Sequence, residues 1–135
     1  MDNRKIEKKL ILICDNKLAT LHNEMKYHIL SIGISQHQDP QANLSFASKD
    51  AVDFFNLFTQ NITNVGYNKL LTDNEATLSA IQTALGTQLQ NEIGVEDCFV
   101  LFYSGHGALA TDPSQPGFFS HFLVPFDVTE DIPNS

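Results

Sequence analysis

The sequence predicts an α/β protein in which a parallel sheet is covered by helices. Two near-continuous apolar runs, residues 27–35 and 97–104, have the character of strands buried on both faces. Between them lie two segments whose apolar residues recur at three-to-four spacing, as one face of a helix requires. The resulting order of strand, helix, strand, helix, strand calls for crossover connections and a parallel sheet.

The bulk numbers fit that class. With 135 residues, 42% hydrophobic and 18% charged, the chain has material for one domain with a real core and is not of disordered composition. Sixteen acidic against eight basic residues give a net charge of -8. That balance repels phosphate backbones and anionic lipid, so nucleic acid and membrane surfaces are excluded as partners. It suits a basic peptide substrate, although acidity that serves solubility alone is the plainer reading. Two cysteines, Cys14 and Cys98, make no disulfide framework, so a reducing, cytoplasmic setting is expected. The apolar run at residues 10–14 is too short for a signal-peptide core, and nothing approaches the ~20 apolar residues of a membrane span.

Taken in order, residues 1–26 differ in texture from the rest and read as an N-terminal extension, with a short strand at 9–15 and a helical turn or two at 17–26. The first main strand follows at 27–35. A polar loop at 36–43 contains Asp39-Pro40. A helix begins at Ser45 or Ser48, with Ser48 as candidate N-cap and Ala47, Ala51, Phe54, Phe55 and Phe58 on one face. Residues 61–68 are loop and 69–72 a short strand. Thr77 caps a second helix with Leu78, Ile81, Leu85 and Leu89 inward, ending near Asn91 and Gly94. The strongest strand, 97–104, comes next. Turn signals at Asp112-Pro113 and Pro116-Gly117 then precede a strand or hairpin arm at 118–124.

In open α/β sheets, functional residues gather beyond the carboxyl ends of the strands. There stands Ser104-Gly105-His106-Gly107. An imidazole between two glycines has an exposed ring and a backbone that a substrate can approach, and it suits general acid–base work near neutral pH. A loop histidine in a merely tight turn is the alternative, and spacing does not separate the two.

The arrangement resembles the caspase-like cysteine peptidases, most closely their metacaspase and bacterial branch. The likeness spans about residues 27 to 127. It is carried by Ile32-Gly33-Ile34, Leu44, Lys49-Asp50-Ala51, Leu70-Leu71-Thr72-Asp73, Ala76-Thr77, Phe102-Tyr103-Ser104-Gly105-His106-Gly107 and Phe122-Leu123-Val124-Pro125. The resemblance implies a three-layer sandwich with a mainly parallel sheet, incomplete on its C-terminal side. Residues 27–135 would then be the large-subunit portion. It further implies His106 as the catalytic imidazole and the Gly107 N–H as an oxyanion donor. Asp50 and Ser104 fall where the family shapes a pocket for a Lys or Arg side chain. Asp50 equally suits a carboxylate in the first turn of a helix, and Lys49 departs from the Asn often found before it.

No credible nucleophile accompanies His106. Family spacing sets the cysteine roughly 50 residues downstream, past Ser135. Cys98 lies toward the opposite end of the same strand, up to roughly 25 Å away, and reads as a core residue. Cys14 is in the extension, where the family has no nucleophile. A cysteine supplied by a second chain or by a missing C-terminal segment, a truncated fragment, and a non-catalytic scaffold all remain open. The expected partners are a peptide or protein substrate and the polypeptide that brings the cysteine. No cofactor is required, and calcium stays open. His106, His121, His37, Asp127 and Glu130 match no zinc pattern and read as surface residues.

Overall fold

A computed structural model describes residues 25–111 and 113–128. Three strands, β1 (Tyr27–Gly33), β2 (Val65–Thr72) and β3 (Cys98–Ser104), form one sheet in the order β2-β1-β3, and both pairings are parallel. A two-stranded antiparallel hairpin, β4 (Gly107–Thr111) and β5 (Phe119–Leu123), follows. The strand and helix proposed at 9–15 and 17–26 lie outside the described residues, save for 25 and 26. No helix among the described residues is long and apolar enough to cross a membrane.

The central strand β1 explains the layering. Alternate residues of a strand face opposite sides, and here both sides are apolar, as buried parallel sheets require. Ile29 packs with Phe54 and Phe58 of helix α1 (Ala47–Asn61) and with Cys98 and Val100 of β3. Leu30 and Ile32 pack on the other face with Leu71, Ala76, Ile81 and Ala84. The second helical segment covers this face. It runs as α2 (Leu78–Thr83), a π turn at Ala84–Gln88, and α3 (Leu89–Glu92). Helix, sheet and helix make the three layers.

On the α1 side the residues of β1 shrink toward its carboxyl end: Ile29, Ser31, Gly33. Ser31 Oγ donates to the Ala51 carbonyl at 2.8 Å. A Cβ on Gly33 would stand 2.4 Å from the Ala47 carbonyl oxygen and 2.5 Å from the Ala51 methyl. The first turn of α1 therefore lies directly on the strand end, and only glycine lets it do so.

Four expectations are corrected. Ser48 is not the N-cap of α1: Phe46 holds that position without a side-chain bond, and Ser35 Oγ, from beyond β1, accepts the Ser48 amide at 2.8 Å. β2 begins at Val65 rather than at 69, because Tyr27 already pairs with Val65 across a register shift. Leu78, the first residue of α2, is exposed rather than inward, and the buried stripe runs through Ile81 and Ala84 and, past the π turn, Leu89. Cys98 is buried, as a core residue should be, but it is not a free thiol, so the reducing setting inferred from the cysteine count loses that support. Thr77 does cap α2, accepting the Ala80 amide at 3.1 Å.

At the amino end of the sheet, His28 is fully buried. Its Nδ1 accepts the Tyr67 N–H at 2.8 Å, so Nε2 carries the proton and donates to Asp97 at 2.8 Å. Asp97 also accepts the Lys26 and Gly94 amides. Burial alone would push this carboxyl up, but the bonds from His28, Gly94 and Lys26 outweigh it and hold it at about 2 against an ordinary 3.8. A depressed folded value stabilises the fold above the ordinary value and is lost as pH falls from about 4 toward about 2. Thermal unfolding midpoints are therefore expected to drop across that interval. In Asp97→Asn the midpoint should start lower at pH 7 and show a shallower acid limb. An unchanged acid limb would remove Asp97 as its source.

Candidate active site

His106 stands just past β3, and its position is set by the backbone around it. Gly33 is the register partner of Ser104, and the Ile34 N–H donates to the Ser104 carbonyl at 3.0 Å. The ends of β1 and β3 therefore emerge side by side, with the first turn of α1 above them. The His106 carbonyl accepts the Tyr103 hydroxyl at 2.7 Å and the Val124 N–H at 3.1 Å. Burial raises the Tyr103 phenol and a bond to Val124 lowers it, with a net upward shift, so the hydroxyl keeps its proton and can donate. A Cβ on Gly105 would come within 2.6 Å of that hydroxyl. Gly105 thus makes room for the clamp that holds His106.

The imidazole is oriented by the loop that follows β1. His106 Nε2 lies 2.6 Å from the Ala42 carbonyl oxygen. A carbonyl only accepts, so Nε2 carries the proton and Nδ1 presents the lone pair. The loop is itself fastened at several points. The Asp73 carboxylate accepts the Ser35 and Gln36 amides, each at 2.9 Å. Asn43 Oδ1 accepts the His37 amide, and Asp39 caps the short turn Pro40–Ala42. Asp73 has φ 47°, a left-handed conformation that aspartate tolerates better than most residues. The His37 ring lies against His106, with ring centroids 5.0 Å apart and planes tilted by 56°.

The Gly107 amide can be placed from the hairpin register. In an antiparallel pair, bonded and non-bonded residue pairs alternate. The Val124-to-His106 bond makes 106/124 a bonded pair, so 107/123 is a non-bonded one. The Gly107 N–H therefore points away from β5, and Gly107 is exposed.

Asp50 is half-buried in the first turn of α1, above Gly33, and Ser104 is half-buried at the end of β3. Both lie at the carboxyl end of the sheet with His106. Lys49, next to Asp50, is exposed and pairs along the helix with Asp53. The other residues considered as metal ligands do not converge: His121 sits exposed on β5, and Asp127 Oδ1 accepts the Leu78 amide. Glu130 lies outside the described residues. Among the described residues no group of three or more His, Cys, Asp or Glu side chains is placed to hold a metal ion.

Sequence reasoning missed the Ala42 carbonyl, for which no side chain gives a signal. It treated His37 only as a surface residue. Tyr103 and Asp73 were inside the segments that carry the family likeness, but no role was attached to them.

A parallel sheet covered by helices, with a glycine-flanked histidine past its third strand, defines a three-layer α/β domain with a candidate site at the carboxyl end of its sheet. The family model for the caspase domain, peptidase family C14, matches residues 26–133. The chain belongs to the caspase-domain family. No curated protein matches significantly. A Geobacter sulfurreducens protein of known crystal structure is similar, with a TM-score of 0.62 and 25% identity over 76% of this chain. The present chain spans 40% of that protein's length.

Proposed function

We propose that this chain is the histidine-bearing large-subunit part of a caspase-like cysteine endopeptidase of the metacaspase branch. The observation that carries the reading is the His106 imidazole, fixed through Nε2–H on the Ala42 carbonyl with its Nδ1 lone pair left for proton transfer. In the reaction, Nδ1 takes the proton of a cysteine thiol and the thiolate attacks the peptide carbonyl carbon. The Gly107 N–H donates to the resulting oxyanion. His106 then returns the proton to the departing amine, and water hydrolyses the thioester.

The cysteine comes from polypeptide outside these 135 residues. Supporting this, β3 pairs only with β1 among the described residues, which leaves its other edge to a further strand. The hairpin also exposes Leu109, Phe118, Phe119, Phe122 and Leu123. The primary pocket favours Lys or Arg, which would meet the Asp50 carboxylate beside Ser104.

The testing experiment is to purify the protein from its own source, record its native mass and assay it on matched peptides. A companion polypeptide carrying a cysteine after an apolar strand is expected. Cleavage after Lys or Arg, blocked by thiol alkylation, should accompany it. Faster cleavage after Asp would overturn the specificity. A lone 15.0 kDa species without peptidase activity would instead favour a non-catalytic interaction module.

A further inference from the structure

The loop after β1 presents two groups to His106, and only the Ala42 carbonyl has a role so far. The second is the His37 ring. It is 9% exposed, and its Nε2 is buried without a hydrogen-bond partner among the described residues. A buried imidazole normally finds partners for its polar atoms. The ring keeps one bond, to the Ile34 backbone, and its loop is fastened through the His37 N–H to Asn43 and the Leu44 N–H, which donates to the Ser35 carbonyl at 2.7 Å.

We propose that His37 is a positioning residue, a buried ring that serves as an uncharged plate against His106 and keeps its Nε2–H on the Ala42 carbonyl. The inference rests on the reading of His106 as the active imidazole and adds what orients it. A planar group packed at 5.0 Å limits rotation of the His106 ring about its own bond. It also keeps water from that side, so proton exchange is directed to Nδ1.

The plate has to stay uncharged to do this, because two adjacent imidazolium rings would repel each other. Burial first, and then the neighbouring His106 charge, hold His37 below its ordinary range. A bond to the Ile34 backbone and the more distant Asp73 carboxylate act in the opposite direction and are outweighed. Above the ordinary imidazole range the His37 ring is therefore neutral.

The test uses the full 135-residue chain labelled with 15N and needs no turnover. Two-bond imidazole correlations read the tautomer and titration of each ring, and the ring N–H signal reads protection from water. The His106 Nε2–H is expected to be visible at pH 7. It should broaden away in His37→Ala, where nothing shields the ring, and return in His37→Phe, which restores a flat ring without nitrogens. Persistence of that signal in His37→Ala, with the same lifetime, would overturn the proposal. If His37→Ala does not fold, His106→Gln decides. The His37 midpoint should rise there as the neighbouring charge is removed, and an unchanged midpoint would show that the rings do not meet. Loss of the signal in His37→Ala, together with no peptidase activity in the material purified from its own source, would leave the plate standing and remove the peptidase reading.

Discussion

Replacing His106 by alanine is expected to lower kcat/KM of the proposed cysteine peptidase by roughly 10³-fold or more while the chain still folds. The size follows from what the ring supplies. It offers a lone pair for proton transfer at the ends of β1 and β3, with its other nitrogen committed to Ala42. Without it a thiol stays mostly protonated at neutral pH and the leaving amine departs unassisted. The structural cost is smaller. The backbone of residue 106 is held through its carbonyl by Tyr103 and Val124, and those bonds survive the substitution. Losing the ring bond and the contact with His37 should cost about 1 kcal/mol. Steady-state kinetics with a basic peptide and a thermal melt of the same preparation separate the two effects. Turnover within tenfold of wild type would remove His106 from the chemistry. A melt shifted by tens of degrees would instead mark the ring as structural.

The parts of this site that were legible in the sequence are those written in side chains and periodicity. The apolar runs announced β1 and β3, and the helical spacing of Ala47, Ala51, Phe54 and Phe58 announced the buried face of α1. His106 was marked as a candidate by its two glycines and its place after β3, with a tight-turn histidine left equally open until the family resemblance was weighed. What stayed hidden is tertiary. The capping of α1 by Ser35 depends on β1 and the helix arriving together, which no local window contains. The Ala42 carbonyl is a main-chain atom with no residue preference of its own. His37 reads as one more polar residue in a polar loop, and only the folded loop buries it against His106. The early start of β2 was obscured because Gly66 and Asn68 are poor strand formers, and their pairing is imposed by β1.

Gly33→Ala is expected to be the most damaging single-methyl change at this end of the sheet. Overpacking of a filled site costs typically 1–3 kcal/mol, and the upper part of that range or beyond applies here. The reason lies in the atoms met. A Cβ at residue 33 would approach the Ala47 carbonyl oxygen to 2.4 Å, the Ala51 Cβ to 2.5 Å and the Ser48 Cα to 2.8 Å. Two of these are main-chain atoms, and none is the flexible end of a long side chain, so the helix itself has to move. Its first turn would lift from the strand, taking Asp50 with it and breaking the bonds from Ser48 to Ser35. A loss of about 3 kcal/mol corresponds to a fall of roughly 10 °C in Tm for a chain of this size. Gly86→Ala provides the contrast. Nothing lies within 4 Å of a Cβ there, and the residue is within the continuous helical segment, so a gain of up to about 1 kcal/mol is expected from the stiffer unfolded chain. Parallel melts of the two variants decide the matter. If Gly33→Ala melts within about 2 °C of wild type, helix α1 does not rest on the strand end as described, and the placement of Asp50 above the ends of β1 and β3 goes with it.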